Sequence, residues 1–151
     1  MFRRFTLVAS LSLFAFVTSM VIAEDAKKEF KATCPVSKKA ALEDKTGEYR
    51  GATVYFCCEK CPEAFKKDTK KFATRANMQL VQTGQAKEVK CPLTGKDLNT
   101  DTKIKVGDAE VCFCCNMCKG KVEKATGDEQ LDLVYGDKAF DKGFKVEAKK
   151  K

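Results

Sequence analysis

"YFCCEKCPEAF" (residues 55–65) and "CFCCNMCKGKV" (residues 112–122) each carry two adjacent cysteines and another three residues on. Sliding the chain by 57 positions lays one stretch on the other. Cys34-Pro35-Val36-Ser37 then falls on Cys91-Pro92-Leu93-Thr94, and Val54, Phe56, Cys57, Cys58 and Cys61 fall on Val111, Phe113, Cys114, Cys115 and Cys118. Both copies read C-x22-C-x3-C, with an extra cysteine directly after the middle one. So many cysteine and proline positions in one register mark an internal duplication. The copies differ where Tyr55 becomes Cys112 and Phe65 becomes Val122. The polar stretch Thr83 to Glu88 contains Gly84 and sets the division near residue 86.

Each copy has the same expected order of elements, which makes the fold class small α+β. Cys-Pro opens a tight turn, because proline fixes its own φ and holds the preceding residue extended. A hairpin follows, turning at Gly51 in one copy and at Gly107-Asp108 in the other, with the β-prone run Ala52 to Phe56 as its second strand. A helix then begins just after the paired cysteines. Pro62 suits its first turn, and Ala64, Phe65, Phe72 and Ala76 recur close to helical spacing. The corresponding charged helix of the second copy is expected to be shorter and to stop at Gly127.

Turn, strand end and helix start should meet at one point, and three sulfurs with them. Free N–H groups at a helix start lower thiol pKa values, and the thiolate is the form that binds metal. The chain has nine cysteines and no histidine, so a site must be built on sulfur. Such sites favour zinc, copper(I) or iron–sulfur clusters over magnesium or calcium. The expected ligands are Cys34, Cys57 and Cys61 in one copy and Cys91, Cys114 and Cys118 in the other. Cys58 and Cys115 stand by as optional fourth ligands or exchange partners, since neighbouring residues on a strand end point apart.

At these residues the chain resembles the YHS/TRASH group of small cysteine modules. "CPV" is followed at the right spacing by "VYFCCEKCPEAFKKDTKKF", with Phe56 before the second cysteine and Phe65 four residues after the third. The resemblance covers residues 34–73 well and 91–122 less fully. Val122 stands where the group has phenylalanine, Thr69 where it has proline, and Cys58 and Cys115 where it often has serine. It implies two tandem treble-clef-like units and a metal-binding role, copper and other heavy-metal handling included.

The N-terminus reads as an export signal. Met1 to Arg4 is basic, Phe5 to Ile22 carries no charge, and Val21-Ile22-Ala23 precedes Glu24-Asp25. This order predicts a signal peptide over 1–23, a first cysteine module over 24–86, a second over 87–148 and a basic tail at 149–151. The protein is then secreted or periplasmic, and meets a membrane only if the signal remains as an anchor. Export would let disulfides persist. A net charge of +8 comes from lysines spread along the chain rather than from an arginine cluster, and no nucleic-acid partner is expected.

The leading expectation is a non-enzymatic metal-binding protein whose partner is a thiophilic ion, held for a structural or a metal-handling purpose. Two alternatives stay open. One is a disulfide-stabilised scaffold, which nine cysteines in an exported chain permit. The other is a thiol–disulfide oxidoreductase using Cys58-x-x-Cys61 and Cys115-x-x-Cys118, although the βαβ context of such enzymes is missing. A Ser/His/Asp set is impossible without histidine.

Overall fold

The computed structural model describes residues 30–147; the predicted signal segment and basic tail lie outside them. The order of elements is β1 (Leu42–Tyr49), β2 (Ala52–Phe56), α1 (Lys60–Lys67), α2 (Thr69–Gln82), β3 (Ala86–Glu88), β4 (Asn99–Val106), β5 (Ala109–Phe113), α3 (Asn116–Lys124), α4 (Gly127–Tyr135), α5 (Asp137–Gly143) and β6 (Phe144–Val146). Among the described residues the fold is small α+β, with five helices and three two-stranded antiparallel sheets. Two similar units are evident. In each, an irregular hairpin (β1–β2 or β4–β5) leads into a helix pair (α1–α2 or α3–α4). No helix among the described residues is long and apolar enough to cross a membrane.

The helical part departs from expectation. Asp68 breaks the first helix with non-helical φ and ψ of −145° and 70°, and its carboxylate accepts the Lys71 N–H at 3.1 Å. A free N–H of a new helix is thereby satisfied, so α2 starts as α1 ends. In the second unit α3 ends at Lys124, and Gly127 opens α4 rather than closing the helical region.

The two units share one apolar core. Phe56, Phe65, Ala76 and Leu80 of the first belong to the same buried cluster as Val111, Phe113, Val122, Val134, Tyr135 and Phe140 of the second. Phe65 sets α1 on its hairpin, its ring 5.6 Å from that of Phe56 and 5.5 Å from that of Tyr49. Across the units, Arg50 donates to Asp137 at 2.8 Å and also pairs with Asp141. Arg75 donates to Asp128 at 2.6 Å.

β3 and β6 complete the link, pairing Ala86 with Val146, Lys87 with Lys145 and Glu88 with Phe144. The two strands occupy nearly equivalent places in the repeat. Their pairing therefore reads alike from either side, as in a contact between two copies of one chain.

Among the described residues β2 pairs with one strand, β1, and side-chain amides stand in for a second. Gln79, fully buried, accepts the Tyr55 N–H at 2.8 Å and donates to the Tyr55 carbonyl at 2.7 Å and the Thr33 carbonyl at 2.9 Å. Gln85 treats Thr53 the same way, at 2.8 and 2.7 Å. Buried peptide groups need such partners. Gln79→Leu should therefore cost about 3 kcal/mol of stability, because it strands several buried groups at once; urea unfolding of the reduced protein measures it.

In the second unit Glu88 takes this task for Cys112, the counterpart of Tyr55. Its Oε2 accepts the Cys112 N–H at 2.9 Å, while buried Oε1 has no partner among the described residues. Burial, opposed by that N–H and helped by the nearby Cys91 charge, pushes the carboxyl up to about 7 from its ordinary 4.5. The folded state thus favours the protonated acid. That contribution is full below pH 4.5 and is lost as the pH rises through about 7. Glu88→Gln, which keeps the shape without the charge, should raise the unfolding midpoint at pH 8, with the gain shrinking towards pH 4.5. Denaturation at the two pH values checks both the sign and the trend.

Candidate metal centres

Each cluster is assembled from a turn, a strand end and a helix start. In the first turn the Cys34 N–H donates to the Lys39 carbonyl at 2.8 Å, and the Lys38 N–H to the Cys34 carbonyl at 3.0 Å. The second repeats this with Cys91 and Lys96 at 2.8 Å and with Gly95 and Cys91 at 2.7 Å. Both turns need a left-handed residue at the same place, φ 64° at Lys38 and 73° at Gly95. Glycine meets that demand without strain, and lysine does so at a small cost. The second turn is also held from outside, where the Gly143 carbonyl accepts the N–H groups of Val89 and Lys90 at 2.7 and 3.1 Å. A Cβ at Gly143 would lie 2.8 Å from the Cα of Pro92, so only glycine permits this approach.

Cys57 and Cys114 follow the last residues of β2 and β5, and Cys61 and Cys118 lie in the first turns of α1 and α3. The sulfurs of Cys34, Cys57 and Cys61 all lie within 4.8 Å of one another, as do those of Cys91, Cys114 and Cys118. Either triad could hold a metal ion. In both, the first and last cysteines are buried and the middle one is half-buried. The vicinal thiols stand at the rim. Cys58 is exposed with its sulfur 3.4 Å from that of Cys61, and Cys115 is half-buried, 3.7 Å from the Cys114 sulfur. All nine cysteines are free thiols, and these separations are non-bonded contacts far longer than a disulfide bond.

A hydroxyl completes each cluster. Ser37 Oγ is 3.0 Å from Cys57 Sγ, and Thr94 Oγ1 is 3.3 Å from Cys114 Sγ. Each oxygen accepts a backbone N–H, from Lys39 at 3.3 Å and Lys96 at 3.4 Å. Its proton is therefore available to sulfur. Sequence reading passed over these two residues, although Ser37 and Thr94 coincide in the repeat and share the hydroxyl as their chemistry.

The sulfurs of one triad do not ionise alike. Burial opposes charge on Cys34, but the Ser37 hydroxyl and the N–H groups of Ser37, Cys57 and Val36 outweigh it and bring the thiol down to about 7. Cys91 also falls to about 7, with burial outweighed by Thr94 and the N–H groups of Cys114, Thr94 and Leu93. Burial, hydrogen bonds with neighbouring thiols and the charge on the first cysteine push the last one up, to about 12 for Cys118 and beyond the usual range for Cys61. Cys58 is lowered by its hydrogen bond with Cys61 and by the N–H groups of Lys60 and Cys61. Cys115 is lowered by the Cys118 N–H and by its contact with Cys114. One charge settles easily on the first cysteine of each triad, while the last holds its proton until a cation displaces it.

Compared with known protein families, curated proteins and solved structures, the chain shows no significant match. The case for function therefore rests on the two clusters themselves.

In reduced, metal-free protein, one thiol per cluster should ionise near pH 7 rather than at the ordinary 9.0. Because the folded value is the lower one, this ionisation stabilises the fold fully above pH 9.0, and the contribution disappears as the pH falls through about 7. Thiolate absorbance followed against pH should lose one thiol from the neutral step in Cys34→Ser and one in Cys91→Ser. A neutral step unchanged in both variants would refute the assignment.

Proposed function

We propose that the protein is an exported, non-enzymatic tandem metal-binding protein holding one thiophilic ion, copper(I) or zinc, in each cysteine triad. The observation that carries this reading is the convergence of two triads built alike, each to within 4.8 Å. Three thiolates are a complete set for trigonal copper(I). For tetrahedral zinc they are one ligand short, and Cys58 or Cys115 must swing in or water must complete the site.

The resemblance to YHS/TRASH modules supports the same role, with treble-clef-like units over 24–86 and 87–148 after a signal peptide at 1–23. The basic start and uncharged run of the first 22 residues support a secreted or periplasmic location. Such a compartment admits disulfides, so the scaffold is the reading that metal binding must exclude.

Metal analysis of reduced protein should find about two ions per chain, and loading should raise the unfolding temperature because ligand binding is coupled to folding. Cys61→Ser should remove the first ion and Cys118→Ser the second. Absence of bound metal, with four internal disulfides in protein taken from its compartment, would establish the scaffold instead.

A further inference from the structure

The rim of each cluster carries a thiol that the triad does not use. Cys34 and Cys91 have no exposed surface, and Cys61 and Cys118 retain 6% and 9%. An ion from solution can meet these sulfurs only by way of the half-buried middle cysteine, Cys57 or Cys114, or of the rim thiol beside it. Cys58 is exposed and stands 3.4 Å from buried Cys61, while Cys115 is partly exposed and stands 3.7 Å from Cys114. Each unit thus sets an extra thiol against one triad sulfur, the last in the first unit and the middle one in the second, although vicinal cysteines are a poor way to complete one coordination sphere. Beside Cys115, Met117 is 84% exposed. Its thioether is a soft ligand offered to solvent at the start of α3.

We propose that Cys58 and Cys115 are transfer ligands, through which copper(I) passes between a soluble thiolate complex and the buried triads. The proposal rests on the triads binding copper(I), and it assigns them a cargo rather than a permanent structural ion. The exchange is associative. Cys58 (or Cys115) gives its proton to solvent and forms a copper–sulfur bond while the copper–sulfur bond to the donor breaks. The released donor thiolate takes up a proton. The ion then passes to Cys61 or Cys114, a sulfur away: the bond to the rim sulfur breaks as the new one forms, and the proton leaving the receiving thiol returns to the rim sulfur. Copper stays in the +1 state throughout, so no oxidant or reductant is consumed.

Copper(I) supplied anaerobically as its glutathione complex tests this, with loading followed in time and equilibrium occupancy fixed by competition with a chromophoric copper(I) chelator. The Cys58→Ser/Cys115→Ser double variant should bind as many ions as the unaltered chain, with matching affinity. Loading and chelator-driven removal should both slow by about tenfold or more, since the double variant lacks the accessible soft ligand that bridges solvent and the buried sulfurs. The single variants should each slow one of two kinetic phases. Cys58→Ala/Cys115→Ala, run in parallel, guards against a residual role for the serine hydroxyls. Unchanged rates would overturn the proposal. So would a loss of bound copper in the double variant, which would make the rim thiols resident ligands. If the unaltered chain takes up no copper(I), the triad reading itself fails, a result distinct from both.

Discussion

Each half of the molecule is organised around a sulfur that is readily ionised and yet has no exposed surface, Cys34 in one and Cys91 in the other. Charge so placed must be met by fixed dipoles. The tight turn provides N–H groups, Ser37 and Thr94 provide hydroxyls, and the peptides at Cys57 and Cys114 reach across from the strand ends. That demand fixes the approach of turn to hairpin, and the helix start falls into place behind it. The left-handed Lys38, which a looser loop would avoid, follows from the same demand.

Neither half answers the problem of size alone. Units of this length bury too little apolar surface to be comfortable in isolation. Here the core is common to both, Arg50 and Arg75 tie first-unit elements to α5 and α4, and β3 finds its partner at the far end of the chain. The similarity of the units is thus a matter of local construction, while their stability is joint. Gly143 joins the two levels, since the helix end that leads into β6 also clamps the second cysteine turn.

What could be read from the sequence was local. The repeat, the Cys-Pro turns, the strand from Ala52 to Phe56 and the helix start after Cys58 depend on neighbours a few positions apart, and all are present. So is the gathering of the six triad cysteines. The resemblance marks "KKDTKKF" as a helix end, but helical spacing alone runs through it, and that its aspartate caps a second helix is visible only in the structure. β3 and β6 were missed because Ala-Lys-Glu and Phe-Lys-Val are too short to carry a period, and only distant pairing makes them strands. Gln79, Gln85 and Glu88 carry no local signal of their part in the fold. Their role as substitute strand partners exists only once β2 and β5 are packed against the neighbouring elements.

The β3–β6 ribbon also constrains when the molecule can become whole. As the chain is made from its N-terminus, the first hairpin, α1 and α2 can assemble early from close neighbours. β3 then waits, its edge unpaired, until residues 144–146 exist. An unpaired edge invites pairing with other chains, and contacts between distant residues form slowly. Closing this ribbon is the last step that chain order permits, and until then the first cluster belongs to half of a core.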